Sequence, residues 1–223
     1  MKRFLSAFIA LVGLAWGVEM LSATGAVASA PGNPWAVREH ALTLTGLGSF
    51  ALMSLAMVLA TRPARLERFF GGMDRIYRVH KWAGILAVGF AVLHWLVELS
   101  DDLIKTLWGR EGRLPKDHGG GLLEAMRDVA EELGELAIYA LLAMLVLTLW
   151  KRFPFRIWRY VHKGMPVLYL ALAFHAAFLA PLDYWTQPVG VLLAGLIAAG
   201  SVASVRVLAG RIGQDRRVGG VVE

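Results

Sequence analysis

Long apolar runs, each nearly free of charged side chains, alternate along the chain with shorter polar segments. A helix needs about 20 apolar residues to cross the hydrocarbon core of a bilayer, and each run is close to that length. The pattern predicts six helices, at about 4–28, 41–60, 76–99, 133–150, 157–180 and 189–205. We therefore expect an all-α integral membrane protein built as a six-transmembrane-helix bundle.

The first run has two interpretations, because it lies at the N-terminus. Ala28-Ser29-Ala30 resembles the small-residue cleavage site of a secretory signal. The run is long for a signal and Glu19 interrupts it, which favours a helix that is retained. At the other end, 211–223 is predicted to be a cytoplasmic tail, and 217–223 resembles the first strand of something larger.

Charged side chains are segregated between the two sides of the predicted bundle. The net charge of +6 and the isoelectric point near 9.9 would suit nucleic acid, but the cations lie beside apolar runs. They include Arg62, Arg65, Arg68, Arg75, Lys151, Arg152 and Arg156. Because cytoplasmic loops carry the excess of lysine and arginine, we expect both termini in the cytoplasm. The expected setting is the lipid bilayer of a bacterial-type inner (plasma) membrane, with no nucleic acid partner.

The segment between the third and fourth runs is acidic, from Glu98 to Glu135. We expect it on the outer side, with a surface helix at 122–133 that leads into the fourth run. His118 lies in this segment beside three glycines and is predicted to be an ordinary loop residue.

The composition limits the kinds of cofactor and catalytic site that the chain can form. Hydrophobic residues make up 57% of the chain, against about 45–50% in an ordinary soluble domain. Cysteine is absent, which excludes disulfides, thiolate zinc sites and iron–sulfur clusters. The sequence also contains no phosphate-binding loop, dinucleotide fingerprint or Ser/His/Asp nucleophile set. Redox chemistry would therefore need a cofactor held by other ligands.

Four histidines in two apolar runs carry the strongest chemical signal, because ionisable side chains inside membrane helices are costly and usually functional. The third run contains His80 and, fourteen residues later, His94. Fourteen residues of helix rise about 21 Å and turn back by about 40°, so these two share a face near opposite sides of the membrane. The fifth run contains His162 and, thirteen residues later, His175.

The third and fifth runs cross in the same direction, which predicts the pairs His80/His162 and His94/His175, stacked across the bilayer. Neutral imidazole is a standard axial ligand of haem iron, and helical bundles commonly hold cofactors in their core. We therefore expect the six-helix bundle to hold two stacked b-type haems.

The fifth run fits this pairing less well than the third. Thirteen residues of regular helix would leave His175 about 140° away from His162. Gly164 and Pro166 lie between them and would allow the helix to bend or change register.

Cations flank the first histidine of each run, namely Arg78, Lys81, Arg159 and Lys163. Because haem carries two propionates, we expect these side chains to pair with the propionates of the inner haem. They would also serve as positive-inside anchors, and the two roles are compatible.

Other candidates are weaker. His40, at the outer start of the second run, has no partner at a matching spacing and is interpreted as an interfacial residue. Gly13 and Gly17 have the small-xxx-small spacing of some helix contacts. Aromatic side chains that could line the haems or an electron path, although they are also ordinary membrane packing, are Trp82, Phe90, Trp95, Tyr169 and Phe174.

The two histidine motifs resemble those of a known family. Asp74-Arg75-x4-His80-Lys81, then x12 and His94, resembles the third helix of the ferric reductase and NADPH oxidase superfamily. Trp158-x3-His162, then x12 and His175, resembles its fifth helix, and the paired spacings of fourteen and thirteen match. Thr45-Gly46 and Arg62-Pro63 are similar to bacterial members. The resemblance covers essentially the whole six-helix region, 1–210.

The resemblance implies an oxidoreductase that passes electrons from NAD(P)H to FAD on the cytoplasmic side, then through two b haems to ferric iron or dioxygen outside. It implies that His80 and His162 hold the inner haem iron, and that His94 and His175 hold the outer one. We expect FAD and NAD(P)H to bind a missing domain that begins near 211–223, or a separate cytoplasmic flavoprotein.

Two positions depart from the family. Superoxide-producing oxidases often have a further histidine one turn after the second ligand of the third helix, where this chain has Glu98. Many relatives also have an aromatic residue six positions after the first ligand of the fifth helix, where this chain has Leu168. Tyr169 or another route would then have to serve between the haems.

Three alternatives stay open. A haem-binding subunit of a methionine sulfoxide reductase commonly lacks the equivalent of His80. A quinone-linked cytochrome b would need a quinone pocket. A haem-free scaffold or transporter would be expected to have broken helices or paired intramembrane charges, for which only Glu19 and Asp183 are candidates.

Overall fold

The computed structural model describes residues 2–22, 33–113, 120–150 and 152–213, and it is all-helical over these ranges. The helices are α1 (Lys2–Ser22), α2 (Pro34–Ala60), α3 (Ala64–Phe70), α4 (Met73–Trp108), α5 (Leu122–Leu149), α6 (Phe155–His162), α7 (Met165–Leu179) and α8 (Pro188–Leu208), with a 3-10 helix at Leu182–Thr186 before α8. The predicted cleavage site at 28–30, His118, Lys151 and the segment 217–223 lie outside the described residues.

Five of the described helices, α1, α2, α4, α5 and α8, are long and apolar enough to cross a membrane. The chain is therefore a multi-pass membrane protein with an all-helical bundle. The run predicted at 157–180 as one long span is instead two helices, α6 and α7, separated by a turn at Lys163 and Gly164. Pro166 stands in the first turn of α7, where a residue without an N–H group is tolerated.

Several helices extend beyond their predicted ends. α2 begins at Pro34 and not near 41, because the Asn33 side chain accepts a hydrogen bond from the N–H of Trp35 (3.0 Å) and caps the helix. The predicted surface helix at 122–133 and the fourth run form one helix, α5. The short helix α3 lies in a segment that was predicted to be a loop.

α4 extends through the first part of the predicted acidic loop. Glu98, Asp101 and Asp102 lie on this helix, and only the residues after Trp108 belong to the loop. Lys105 forms ion pairs with Asp101 and Asp102 at spacings of four and three residues, which support the extra turns.

α2 lies at the centre of the bundle and packs against α1, α4, α7 and α8, whereas α5 packs mainly against α7. Tyr169 ties three of these helices together in the buried core. Its hydroxyl donates to the carbonyl of Leu196 in α8 (2.9 Å) and is hydrogen-bonded to the hydroxyl of Ser54 in α2 (2.9 Å). Gly200 leaves room for the tyrosine ring, since a Cβ at that position would overlap it.

Candidate functional site

The four histidines singled out by the sequence lie together as two pairs. The ring centres of His80 and His162 are 6.3 Å apart and their planes are at 82°. Those of His94 and His175 are 6.4 Å apart, with planes at 85°. α4 supplies one member of each pair, so the two pairs lie about 21 Å apart along its axis.

The turn between α6 and α7 removes the angular conflict that regular helix would create. His162 is the last residue of α6, and the turn at Lys163 and Gly164 follows it directly. In this turn the N–H groups of Lys163 and Gly164 donate to carbonyls three residues earlier, which winds the chain more tightly than an α-helix and shifts the register of His175 on α7. Both histidines therefore reach a partner on α4.

We call His94/His175 the outer pair and His80/His162 the inner pair, after the sides that the sequence predicts for them. Backbone carbonyls orient both histidines of the outer pair. The Nδ1–H of His94 donates to the carbonyl of Leu42 in α2 (3.0 Å), and the Nδ1–H of His175 donates to the carbonyl of Ala130 in α5 (2.7 Å). A carbonyl oxygen only accepts, so Nδ1 must carry the proton and the Nε2 of each neutral ring keeps its lone pair. This is the tautomer in which imidazole binds a metal through Nε2.

Two glycines make room for the outer histidine rings. A Cβ on Gly46 of α2 would lie 3.1 Å from the ring of His94, and a Cβ on Gly134 of α5 would overlap the ring of His175. Sequence reasoning included Gly46 only as part of a family-like pair and did not identify Gly134. The available signal was a glycine inside a helical run, where it is unfavourable unless packing requires it.

Fewer hydrogen bonds orient the rings of the inner pair. The Nδ1–H of His80 donates to the carbonyl of Ala56 (3.0 Å), whereas the buried Nδ1 of His162 has no hydrogen-bond partner among the described residues. The ring of His162 instead stacks on Trp158, with centres 4.8 Å apart and planes at 15°. The indole N–H of Trp158 donates to the hydroxyl of Thr148 in α5 (2.9 Å), which fixes the stacked ring.

The four cations predicted beside the inner pair, Arg78, Lys81, Arg159 and Lys163, are exposed at the ends of α4 and α6. None of them forms an ion pair with a residue in the described part of the chain. They are therefore available to anionic groups near His80 and His162.

An arginine near the outer pair, with a side chain that is largely covered, was not identified from the sequence. Arg38 of α2 forms an ion pair with Glu98 (2.9 Å), and its side chain is only 9% exposed. Glu98 lies one turn after His94 on α4. The glutamate that departs from the family pattern therefore serves as the counter-ion of this arginine.

The remaining candidates do not join the histidine pairs. His40 packs edge-on against Trp16 (ring centres 6.2 Å apart). The buried Glu19 is hydrogen-bonded to Tyr184, and burial raises the pKa of the Tyr184 hydroxyl well above its ordinary value. These contacts tie α1 to its neighbours.

The predicted aromatic residues contact other rings in the described chain and not one another. Trp95 lies against Tyr139 (ring centres 6.5 Å apart), Phe174 against Phe178 (4.5 Å) and Tyr169 against Phe50 (5.4 Å). Trp82 is 46% exposed. A Cβ at Gly13 or Gly17 would meet no described atom within 4 Å, so this glycine spacing makes no close helix contact in the described chain.

Within the described residues, no group of three or more His, Asp or Glu side chains is placed to hold a metal ion. Each histidine pair supplies two nitrogen donors, fewer than the three or four protein ligands of an ordinary zinc site. A metal between two such histidines would need its other ligands from elsewhere.

Comparison with known families agrees with the geometry, although no curated protein matches the chain. The family described as ferric reductase like transmembrane component matches residues 45–173, which is more than half of the 223 residues. The matched segment runs from α2 into α7 and contains His80, His94 and His162. The chain therefore belongs to the ferric reductase-like transmembrane family, a family of membrane oxidoreductases that transfer electrons across the bilayer.

Proposed function

We propose that the chain binds two b haems, one between the histidines of each pair, and conducts electrons from a cytoplasmic flavin donor to an acceptor on the outer side. The observation that carries this proposal is the ring separation of 6.3 Å and 6.4 Å in the two pairs. The same value recurs in two places that share no residue, on either side of the membrane core.

The separation can be compared with two simple arrangements. Imidazole nitrogens lie about 2.0–2.1 Å from a bound metal and about 1.2 Å from their ring centre, so two imidazoles on opposite sides of one metal have centres about 6.4 Å apart. A direct N–H···N hydrogen bond of about 2.9 Å would bring the centres to about 5.3 Å. The observed distances favour a metal atom between the rings over a direct bond.

The tautomers of the outer pair also favour a metal atom between the rings over a direct hydrogen bond. His94 and His175 each donate their one ring N–H to a backbone carbonyl. Neither ring has a proton left to donate to the other, so no hydrogen bond can join the two Nε2 atoms. An iron atom would accept both lone pairs, and the porphyrin would supply the four further ligands that the protein lacks.

In this proposal His80 and His162 hold the inner haem iron, and His94 and His175 hold the outer one. Haem supplies a reversible one-electron carrier, while the protein binds and orients it and sets its potential. The helices α6 and α7 together form the sixth crossing of the bundle, and the fourteen-residue spacing on α4 sets the distance between the two carriers.

The exposed cations support the choice of the inner end. Arg78, Lys81, Arg159 and Lys163 would pair with the propionates of the inner haem, and the positive-inside rule favours a position of that end, with both termini, in the cytoplasm of a bacterial inner membrane. FAD and NAD(P)H would bind a further domain or a separate flavoprotein on this face. The acceptor would be ferric iron or dioxygen.

The alternative functions explain fewer of the contacts that the four histidines make. A methionine sulfoxide reductase subunit would commonly lack His80, which here lies 6.3 Å from His162 with its Nδ1–H bonded to Ala56. A haem-free scaffold or transporter gives no reason for two histidine pairs with matched ring separations, in which three of the four rings donate their Nδ1–H to a backbone carbonyl. A quinone-linked cytochrome b would share the haems and differ only in its partner.

Absorption spectra of the purified protein, oxidised and then reduced with dithionite, test the proposal together with a pyridine haemochrome assay. Two b haems per chain are expected, falling to one in His80→Ala and in His94→Ala. His40→Ala is the matched control and should retain two, because His40 lies against Trp16 and outside both pairs. A protein that stays colourless when it is expressed with added haem would refute the assignment.

A further inference from the structure

Three aromatic rings form a row along one face of α6. Phe155, Trp158 and His162 occupy positions i, i+3 and i+7, and seven residues of helix rise about 10 Å and return to within about 20° of the same face. The rings of Phe155 and Trp158 are stacked, with centres 5.6 Å apart and planes at 20°. Those of Trp158 and His162 are stacked more closely, at 4.8 Å and 15°. The row therefore connects the first residue of α6 with a histidine of the inner pair.

The two ends of this row have different surroundings. At one end, His162 faces His80 across 6.3 Å within the bundle. At the other end, Phe155 is 67% exposed, and its ring contacts Trp158 on one side. A ring that is stacked on one side and largely exposed leaves its other face open to a further planar ring. The row therefore leads from an open ring face at the surface to the inner pair.

The middle ring of the row is fixed by α5. The indole N–H of Trp158 donates to the hydroxyl of Thr148 (2.9 Å), and that hydroxyl donates to the carbonyl of Met144 (2.7 Å). Each of the two donors has one acceptor, so the orientation of the indole is defined. The protein itself therefore holds the stack, without a contribution from lipid or from a partner.

Cations beside the exposed end of the row indicate the class of partner. Arg152 lies just before α6 and Arg156 follows Phe155 directly, and both are exposed. A planar aromatic ring would stack on Phe155, and the guanidinium groups would bind a phosphate attached to that ring. Nicotinamide dinucleotides have both features, but they transfer a hydride, which a haem iron does not accept. A phosphorylated flavin has both features and also releases electrons one at a time, so it is the class of donor that fits.

We propose that Phe155 is the point at which electrons enter the chain: the flavin ring of the cytoplasmic donor stacks on its open face, and the row Phe155–Trp158–His162 passes electrons to the inner carrier. This inference rests on the proposed function and names the surface at which the donor binds. Each transfer moves one electron from the reduced flavin to the inner carrier, and the proton that the flavin loses is released to the cytoplasmic water. The rings of the row are neither oxidised nor reduced. They fill the gap between donor and carrier with closely packed atoms, through which tunnelling falls off less steeply than across water.

Exposed rings near a membrane surface also serve as interfacial anchors, and Tyr160 allows the two roles to be separated. Tyr160 belongs to the same helix and is 76% exposed. It lies about 160° round the helix from His162, and so outside the row. An anchoring role would be shared by Phe155 and Tyr160, whereas the entry of electrons requires Phe155 alone. Tyr160→Leu is therefore the matched control for Phe155→Leu.

Equilibrium dialysis against FMN tests flavin binding without reference to electron transfer. The wild type and Tyr160→Leu should bind FMN with the same dissociation constant, and Phe155→Leu should bind it severalfold more weakly. Phe155→Trp keeps a ring at this position and should bind FMN as the wild type does. Equal binding by all four proteins would overturn the site, as would equal weakening in the two leucine variants or a wild type that binds no FMN.

Rapid mixing of the oxidised protein with reduced FMN, and separately with dithionite, tests the entry of electrons. In Phe155→Leu the rate of haem reduction by reduced FMN, relative to the rate with dithionite, should fall severalfold, while Tyr160→Leu keeps the wild-type ratio. An unchanged ratio in Phe155→Leu would refute the entry role and leave the two-haem proposal intact. A wild type without haem would refute the proposed function, whereas the dialysis would still report on the flavin site.

Discussion

The two histidine pairs have nearly the same ring separation, yet the protein holds them to different extents. At the outer pair, carbonyls of Leu42 and Ala130 fix both rings and two glycines receive them. At the inner pair a carbonyl fixes His80 alone, and His162 is positioned by its stack on Trp158. Ring separation alone would make the two sites equivalent, whereas the surrounding contacts predict a rigid outer site and a more adaptable inner one.

The largest effect is expected from a substitution that displaces a histidine of the outer pair. In Gly134→Ala the new Cβ overlaps the ring of His175, so the ring must leave the position set by Ala130. We expect the haem count to fall from two to one per chain. Gly46→Ala should have a smaller effect, because its Cβ would lie 3.1 Å from the His94 ring and a slight shift relieves the contact.

Gly195→Ala is the control for this pair of variants. It places the same methyl group on α8, where no atom lies within 4 Å, and should leave two haems. Retention of both haems by Gly134→Ala, measured by pyridine haemochrome, would show that the glycine does not position the outer ligand.

An intermediate effect is expected at the inner site when the stacked ring is removed. Trp158→Leu removes the stacking partner of His162, whose Nδ1 has no hydrogen bond among the described residues to hold it instead. We expect partial loss of the inner haem and a changed inner midpoint potential, with the outer one unchanged. Redox titration followed by absorption would resolve the two midpoints.

Trp158→Phe sharpens the test because it keeps a ring and loses only the N–H that donates to Thr148. It should retain the inner haem. A shift of the outer midpoint in either variant would contradict the independence of the two sites.

The smallest expected effect concerns the exposed cations. Arg159→Gln combined with Lys163→Gln removes positive charge near the inner pair, which makes reduction less favourable and lowers the inner midpoint potential. Exposed charge interactions of about 0.2–1 kcal/mol correspond to about 10–40 mV for one electron. Arg110→Gln is the control and should leave the inner midpoint unchanged, because this exposed arginine follows the end of α4 that is remote from His80. An unchanged inner midpoint in the double variant would show that the cations do not act on the inner haem and serve only as membrane anchors.

The sequence predicted which histidines lie side by side, because the spacing along a helix and the alternating direction of successive membrane helices can both be read from the chain. Fourteen residues return His94 to the face of His80, and the parallel direction of the two runs fixes which histidines meet. The family assignment, drawn from the same motifs, is confirmed. The fifth run was predicted as one helix that could bend at Gly164 and Pro166, and in the structure it is divided there into α6 and α7.

The contacts that orient the rings could not be predicted. Backbone carbonyls at Leu42, Ala56 and Ala130 have no sequence signature, since every residue has one, and only packing selects the three that meet a histidine. The ends of α4 were misjudged for a related reason. Apolar length marks where the bilayer ends, while ion pairs of Lys105 allow the helix to continue to Trp108.

The turn after His162 has a mechanical consequence for the inner site. α6 ends at His162, and the turn at Lys163 and Gly164 follows it directly. α6 has no buried residue, so few contacts hold the helix that carries this histidine. A partner that binds the exposed face of α6 would therefore contact the helix of His162 directly, whereas it would reach His175 only through the turn and α7.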